Sequence, residues 1–283
     1  MNKHCFIVVL ALLICLAACG RVNAPETTGP VTDPTIQTTI PETTVPETTV
    51  PETTAPPVFL LYLPESMSLC GPDGSALITM NYVYEEGWMD KETFTSTVAA
   101  ELPGQGSVEM VTTFGDKYVS SDMMGLTKTE THYDEQGRVI LQVSIPNLNP
   151  TVDKIETVNT YDEYGRMLTT ESKTYSTEQA EPIMDSSVYT YTDTDTGSKG
   201  TSEKHGIVQE LYYDRDYHLV TSVTIVNGQE TSRMENTYDE YGNQIRQVQY
   251  VQGQKSMENL YTYTAVEVDA ETAARLPQYC KGK

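Results

Sequence analysis

The chain has 283 residues, 40 of them acidic and 18 basic, for a formal net charge of −22. Acidity on that scale repels a phosphate backbone and an anionic membrane surface, which disfavours nucleic-acid binding. Thr, Val and 19 Tyr are abundant while Ala- and Leu-rich helical runs are scarce beyond the N-terminus, so the composition reads as mainly β.

In chain order, residues 1–18 come first: a basic Lys3, an apolar run from Cys5 to Leu16, then small residues. Twelve apolar residues are too few for a bilayer core of about 30 Å, and the segment reads as an export signal. Its end, Leu16-Ala17-Ala18-Cys19, resembles the lipobox of bacterial lipoproteins. That resemblance implies cleavage before Cys19 and diacylglycerol on its thiol. The expected place is extracytoplasmic, with the membrane as partner through the lipid on Cys19.

Residues 19–57 follow, rich in Pro, Thr and Glu, with "PETTV" at 41–45 and 46–50 and "PETTA" at 51–55. Fixed φ at Pro and repelling Glu side chains favour extended, unpaired backbone, so this stretch is expected to be a disordered tether. Residues 58–283 form the expected folded domain. Cys70 and Cys280 lie near its two ends, and an oxidising compartment makes a disulfide between them an open alternative to two unpaired thiols.

Three near copies organise that domain: "THYDEQGRVI" at 131–140, "NTYDEYGRML" at 159–168 and "NTYDEYGNQI" at 236–245. Asp134, Asp162 and Asp239 suit the first position of a type I turn, and Gly137, Gly165 and Gly242 suit the fourth, where positive φ sends the chain into a returning strand. Strand alternation puts Ile155, Thr157, Asn159 and Tyr161 on one face, and Val139, Leu141, Val143 and Ile145 are expected to share another. "YYDRDYHLV" at 212–220 is a weaker copy, with Tyr217 where glycine is wanted. Taking Tyr133, Tyr161, Tyr191, Tyr213, Tyr238 and Tyr263 as markers, the spacings are 28, 30, 22, 25 and 25 residues. A drifting period of this length signals stacked units.

Tyr-Asp-x-x-Gly-Arg at 133–138 and 161–166 resembles the YD repeat of Rhs-type proteins, with Asn243 in place of Arg in the third copy. The resemblance implies antiparallel hairpin repeats forming a twisted, curved sheet, and a link to carbohydrate binding; it transfers no catalytic residue. A short helix is expected near 269–276, capped by Asp269, stopped by Pro277 and covering the last sheet edge.

Tyr164 and Tyr241, inside the turns, are the candidate ligand contacts, because exposed rings stack on sugar rings; strand tyrosines more often serve the sheet itself. "TDTDTG" at 192–197 fails as a calcium loop, since its fifth position is Gly197 and its twelfth is Lys204. His132, His205 and His218 lack metal-ligand spacing, and no metal or cofactor is expected. The sequence reading is a membrane-anchored lipoprotein displaying a non-catalytic β-repeat domain to a glycan, cell wall or protein. The alternative is an extracytoplasmic enzyme or solute-binding protein whose pocket only the fold reveals.

Overall fold

A computed structural model describes residues 58–282 apart from 103–105, 124, 126, 148 and 150. The signal segment, Cys19 and the tether lie outside the described residues. Among those described, the strands are β1 (Phe59–Cys70), β2 (Ala76–Tyr84), β3 (Phe94–Leu102), β4 (Gly106–Gly115), β5 (Tyr118–Met123), β6 (Thr127–Tyr133), β7 (Val139–Ile145), β8 (Val152–Tyr161) and β9 (Met167–Ser176). They continue with β10 (Gln179–Val188), β11 (Thr190–Thr194), β12 (Gly197–Lys204), β13 (Ile207–Tyr213), β14 (Leu219–Val226), β15 (Gln229–Tyr238), β16 (Gln244–Val251) and β17 (Gln254–Val268). A helix, α1 (Ala270–Arg275), and β18 (Cys280–Gly282) end the chain.

All strands join one 18-stranded sheet. Sequence neighbours pair antiparallel from β1 through β10 and from β11 through β17, as short turns dictate. β17 then returns to β1, over a register running from Phe59↔Val268 to Cys70↔Glu258. β10 and β11 are one run of chain bent at Tyr189, the first part bonded to β9 and the second to β12. The sheet is therefore a nearly closed barrel, not the open twisted, curved sheet expected from the repeat. Closure follows from the β1–β17 pairing, which a count of hairpins along the sequence does not contain.

The glycine turns stand where the sequence put them. Gly137, Gly165 and Gly242 have φ of 76°, 80° and 71°, and each donates its N–H to the carbonyl of the turn's Asp. Tyr217, in the glycine slot of the degenerate copy, takes φ of 60° as well. Just beyond each turn the register slips by one residue, and this corrects one expected face. Tyr133 pairs with Val139 but His132 pairs with Leu141. Ile140 is the extra residue, so Val139 points to the face opposite Leu141, Val143 and Ile145, and it is the one of the four that is buried in the core.

The main core sits at the start of β1. Leu61, Leu63, Phe94, Phe114, Tyr133, Val139 and Leu276 pack there, with Phe94 and Phe114 stacked at 4.7 Å. Helix α1 begins as expected, Asp269 accepting the Thr272 N–H at 2.8 Å. It does not cover an edge of the last long strand, because β1 already occupies that edge; instead β18 pairs with the first three residues of β1.

The cysteines are corrected too. Cys280 stands opposite Leu61, nine residues along β1 from Cys70. At about 3.3 Å per residue that separation is roughly 25–30 Å, against the ~7 Å limit for bridging Cα atoms. Both cysteines are buried and no disulfide joins them.

Candidate functional site

The repeat motif builds a ladder of tyrosines. A register slip turns one carbonyl out of the strand pairing, and the tyrosine of the next unit takes it. The Tyr161 hydroxyl donates to the Val139 carbonyl at 2.7 Å, Tyr191 to Met167 at 2.7 Å, Tyr238 to Leu219 at 2.9 Å and Tyr263 to Gln244 at 2.8 Å. Tyr84 does the same for Pro64, at the slip in β1. Hence the spacing of four of the six marker tyrosines, each of which reaches back one hairpin; Tyr213 instead accepts the Met167 N–H, at 3.4 Å.

Asp and Arg of the motif complete each joint. Asp134 and Asp162 accept two N–H groups of their own turn and the following Arg Nε, at 2.6 Å from Arg138 and 2.7 Å from Arg166. Each guanidinium then rests on the next unit's tyrosine, Arg138 at 5.1 Å from Tyr161 and Arg166 at 4.6 Å from Tyr191. His218 replaces Arg in the degenerate copy and stacks on Tyr238 at 4.7 Å, while Asn243 bonds Asp239 at 2.7 Å. Burial holds the Tyr191 phenol well above its usual pKa, so it remains a donor. Tyr191→Phe is expected to cost about 0.5–1.5 kcal/mol, the net worth of one hydrogen bond. Urea unfolding measures it, and a neutral substitution would contradict the ladder.

The ladder also assembles a cleft that no single motif encodes. Turns between β8 and β9, β11 and β12, and β13 and β14 meet at one end of the wall. Tyr164, Arg166, Asp193, Thr194, Gly197, Asp214, Arg215 and Tyr217 enclose about 210 Å³ there. Tyr164 and Tyr217 stack at 5.1 Å, and Arg166 lies 5.0 Å from the Tyr164 ring while donating to Asp193 at 3.2 Å. Arg215 reaches the Asp195 carbonyl at 2.7 Å. Gly197 is required by space: a Cβ there would lie 1.9 Å from the Tyr213 carbonyl oxygen.

Of the two candidate contacts, Tyr164 therefore lines a cleft. Tyr241 is exposed to a similar degree but stacks instead on Tyr62, at 5.2 Å. Sequence reasoning missed Tyr217, Arg166, Asp193 and Arg215 as a group. The signals were present, in a tyrosine occupying a glycine slot and in the acidic turn that fails as a calcium loop.

Asp214, Asp216 and His218 bring three ligand-type atoms within 4.8 Å of one another. Their arrangement is that of the turn itself: Asp214 accepts the N–H groups of Asp216 and His218 at 2.9 Å, as the other turn aspartates do. It supplies no argument for a metal.

No family model matches the chain, and no curated protein does either. Among solved structures, a porin-like protein from Bacteroides uniformis is 9% identical, with a TM-score of 0.38 over 71% of this chain and 96% of that one. A protein of YmcC-like fold from Bacteroides fragilis is 9% identical, with a TM-score of 0.30 over 72% and 99%. A β-barrel-like protein of a domain of unknown function, from Brucella abortus, is 11% identical, with a TM-score of 0.24 over 75% and 98%. Likenesses of this order carry no function across.

Proposed function

We propose that the chain is a YD-repeat lipoprotein, held outside the cytoplasm by lipid on Cys19 and a Pro/Thr/Glu tether, that binds a glycan in the cleft lined by the stacked Tyr164 and Tyr217. The paired rings inside that cleft carry the reading. An aromatic face packs on the C–H surface of a sugar ring, while the flanking guanidinium and carboxylate groups exchange hydrogen bonds with its hydroxyls. A volume of about 210 Å³ is below the ~300–1,000 Å³ of drug-sized sites, which matches one ring of a longer chain.

Backbone strain supports the same reading. Tyr217 holds a left-handed conformation that costs a non-glycine residue about 1–3 kcal/mol, and glycine fills this slot in three other turns. The domain itself is read as lying in water. Glu156, Lys173, Lys199 and Glu210 stand within strands of the wall, where a lipid-facing Lys alone would cost about 2–4 kcal/mol at the midplane.

A glycan array probed with the full chain tests the proposal. Tyr217→Gly is expected to leave stability within about 1 kcal/mol, relief of strain offsetting the lost stacking, while binding falls at least about tenfold. Tyr164→Ala is expected to weaken binding similarly. No glycan bound by the parent chain, or one bound equally well by both variants, would overturn the assignment.

A further inference from the structure

The register divides the barrel wall into two unlike faces. Directly paired residues share a face, so the side that carries the buried Leu69 continues through Asn259 and Gln247 to Asn236. Four residues along β15 the same side holds Ser232, and from there Thr224, Gln209 and Ser202 in one row. On the other half of the barrel Thr131, Gln142, Thr157 and Ser172 form a matching row. The opposite face carries the ion pairs Lys154–Glu156, Lys199–Glu210, Arg233–Glu235 and Arg246–Glu258. Charge therefore faces outward, while the inner rows offer hydroxyls and amides. Asp185, which continues the second row, is neutralised by Lys204 at 2.5 Å. Gln209, Thr224, Ser232 and Thr157 are half-buried and within reach of water, and a barrel of this many strands leaves an aqueous interior.

The cleft at Tyr164 and Tyr217 meets this inner face. Asp193 of the cleft stands directly opposite Ser198, which follows Gly197 of the cleft and shares the inner side of β12 with Ser202. Ser198 is 2% exposed, and its hydroxyl has no hydrogen-bond partner among the described residues. The Asn259 Oδ1, on the same inner side, is buried and unpartnered in the same way. Buried polar atoms are normally paired, so an orphaned hydroxyl at the foot of a cleft marks a place where a ligand completes the bonding. Within the cleft, Arg166 and Arg215 balance Asp193 and Asp214.

We propose that the glycan is uncharged and longer than the cleft, its chain running from Tyr164 and Tyr217 past Ser198 onto the inner face. This rests on the glycan reading above and names the class of glycan. Sugar hydroxyls and N-acetyl groups exchange hydrogen bonds with Ser, Thr and Gln side chains without needing a counter-charge. An acidic glycan meets the repulsion of the whole chain, and a cationic one finds no free carboxylate in the inner rows. Ser202 lies four residues from Ser198, about 13 Å at ~3.3 Å each, so a short glycan held in the cleft ends before the row at Ser232.

Isothermal titration of the full chain with maltohexaose, cellohexaose, mannohexaose and chitohexaose, each beside its disaccharide, tests this. At least one hexamer is expected to bind, at least about tenfold tighter than its disaccharide. Hexagalacturonate and deacetylated chitohexaose are expected to bind more weakly than that hexamer in about 0.15 M salt, which screens the outer charges. Thr224→Val with Ser232→Ala removes two inner hydroxyls and no charge. It is expected to weaken the hexamer at least about threefold and to leave the disaccharide unchanged. Thr95→Val with Thr97→Val, on the outer side of β3, is expected to change neither. Thermal melts confirm that each variant is folded. Equal affinity for hexamer and disaccharide, a charged hexamer bound tightest, or a hexamer indifferent to the inner variant overturns this proposal and leaves the cleft standing. Binding of none of the hexamers also overturns it, and the Tyr217→Gly comparison on the array then decides the cleft by itself.

Discussion

Phe94→Ala is expected to lower stability by about 3–5 kcal/mol, the range for truncating a fully buried aromatic side chain. Phe94 is 1% exposed and stacks on Phe114 with the rings 7° from parallel. Tyr84 and Trp88 also lie against it, at 6.3 Å and 4.9 Å between ring centroids. The alanine leaves a cavity that rigid strands on either side cannot close. This cluster also receives Leu276 and Tyr279 from the C-terminal segment, so the loss extends to the closure of the chain end onto β1. Chemical unfolding followed by the fluorescence of Trp88, the one tryptophan, measures the change. A loss below about 1 kcal/mol would mean that the aromatic stack is not the centre of the core.

Gly137→Ala carries the second large effect. Its φ of 76° already penalises any side chain by roughly 1–2 kcal/mol. Here a Cβ would also come within 2.7 Å of the Gln278 backbone and 2.8 Å of Pro277, where the segment after α1 crosses the first repeat turn. Neither neighbour is a flexible side-chain tip that can swing away. Gly228→Ala is the control, since Gly228 has φ of 75° but nothing within 4 Å of its added carbon. The expected order is a cost near 1–2 kcal/mol at Gly228 and clearly more at Gly137. Limited proteolysis after residue 276 is expected to accelerate only in the Gly137 variant. Equal costs at the two sites would show that the C-terminal segment does not depend on that turn.

The sequence by itself determined the hairpins. Tyr133-Asp134 with Gly137, and its two copies, specify turns whose backbone needs are local: an Asp to accept nearby N–H groups and a glycine to take positive φ. The same local chemistry marked Asp269 as a helix cap and singled out Tyr164 and Tyr241, of which Tyr164 lines a cleft and Tyr241 stacks on Tyr62. What reached across the chain was not legible. Pairing of β1 with β17 closed the barrel, the register along β1 kept Cys70 from Cys280, and slips such as that at Ile140 moved Val139 into the core. The Tyr217 cleft belongs to this second class, since it joins three turns. Turn chemistry is set within a few residues, whereas closure and register depend on which distant edges find each other, and the folded sheet alone decides that.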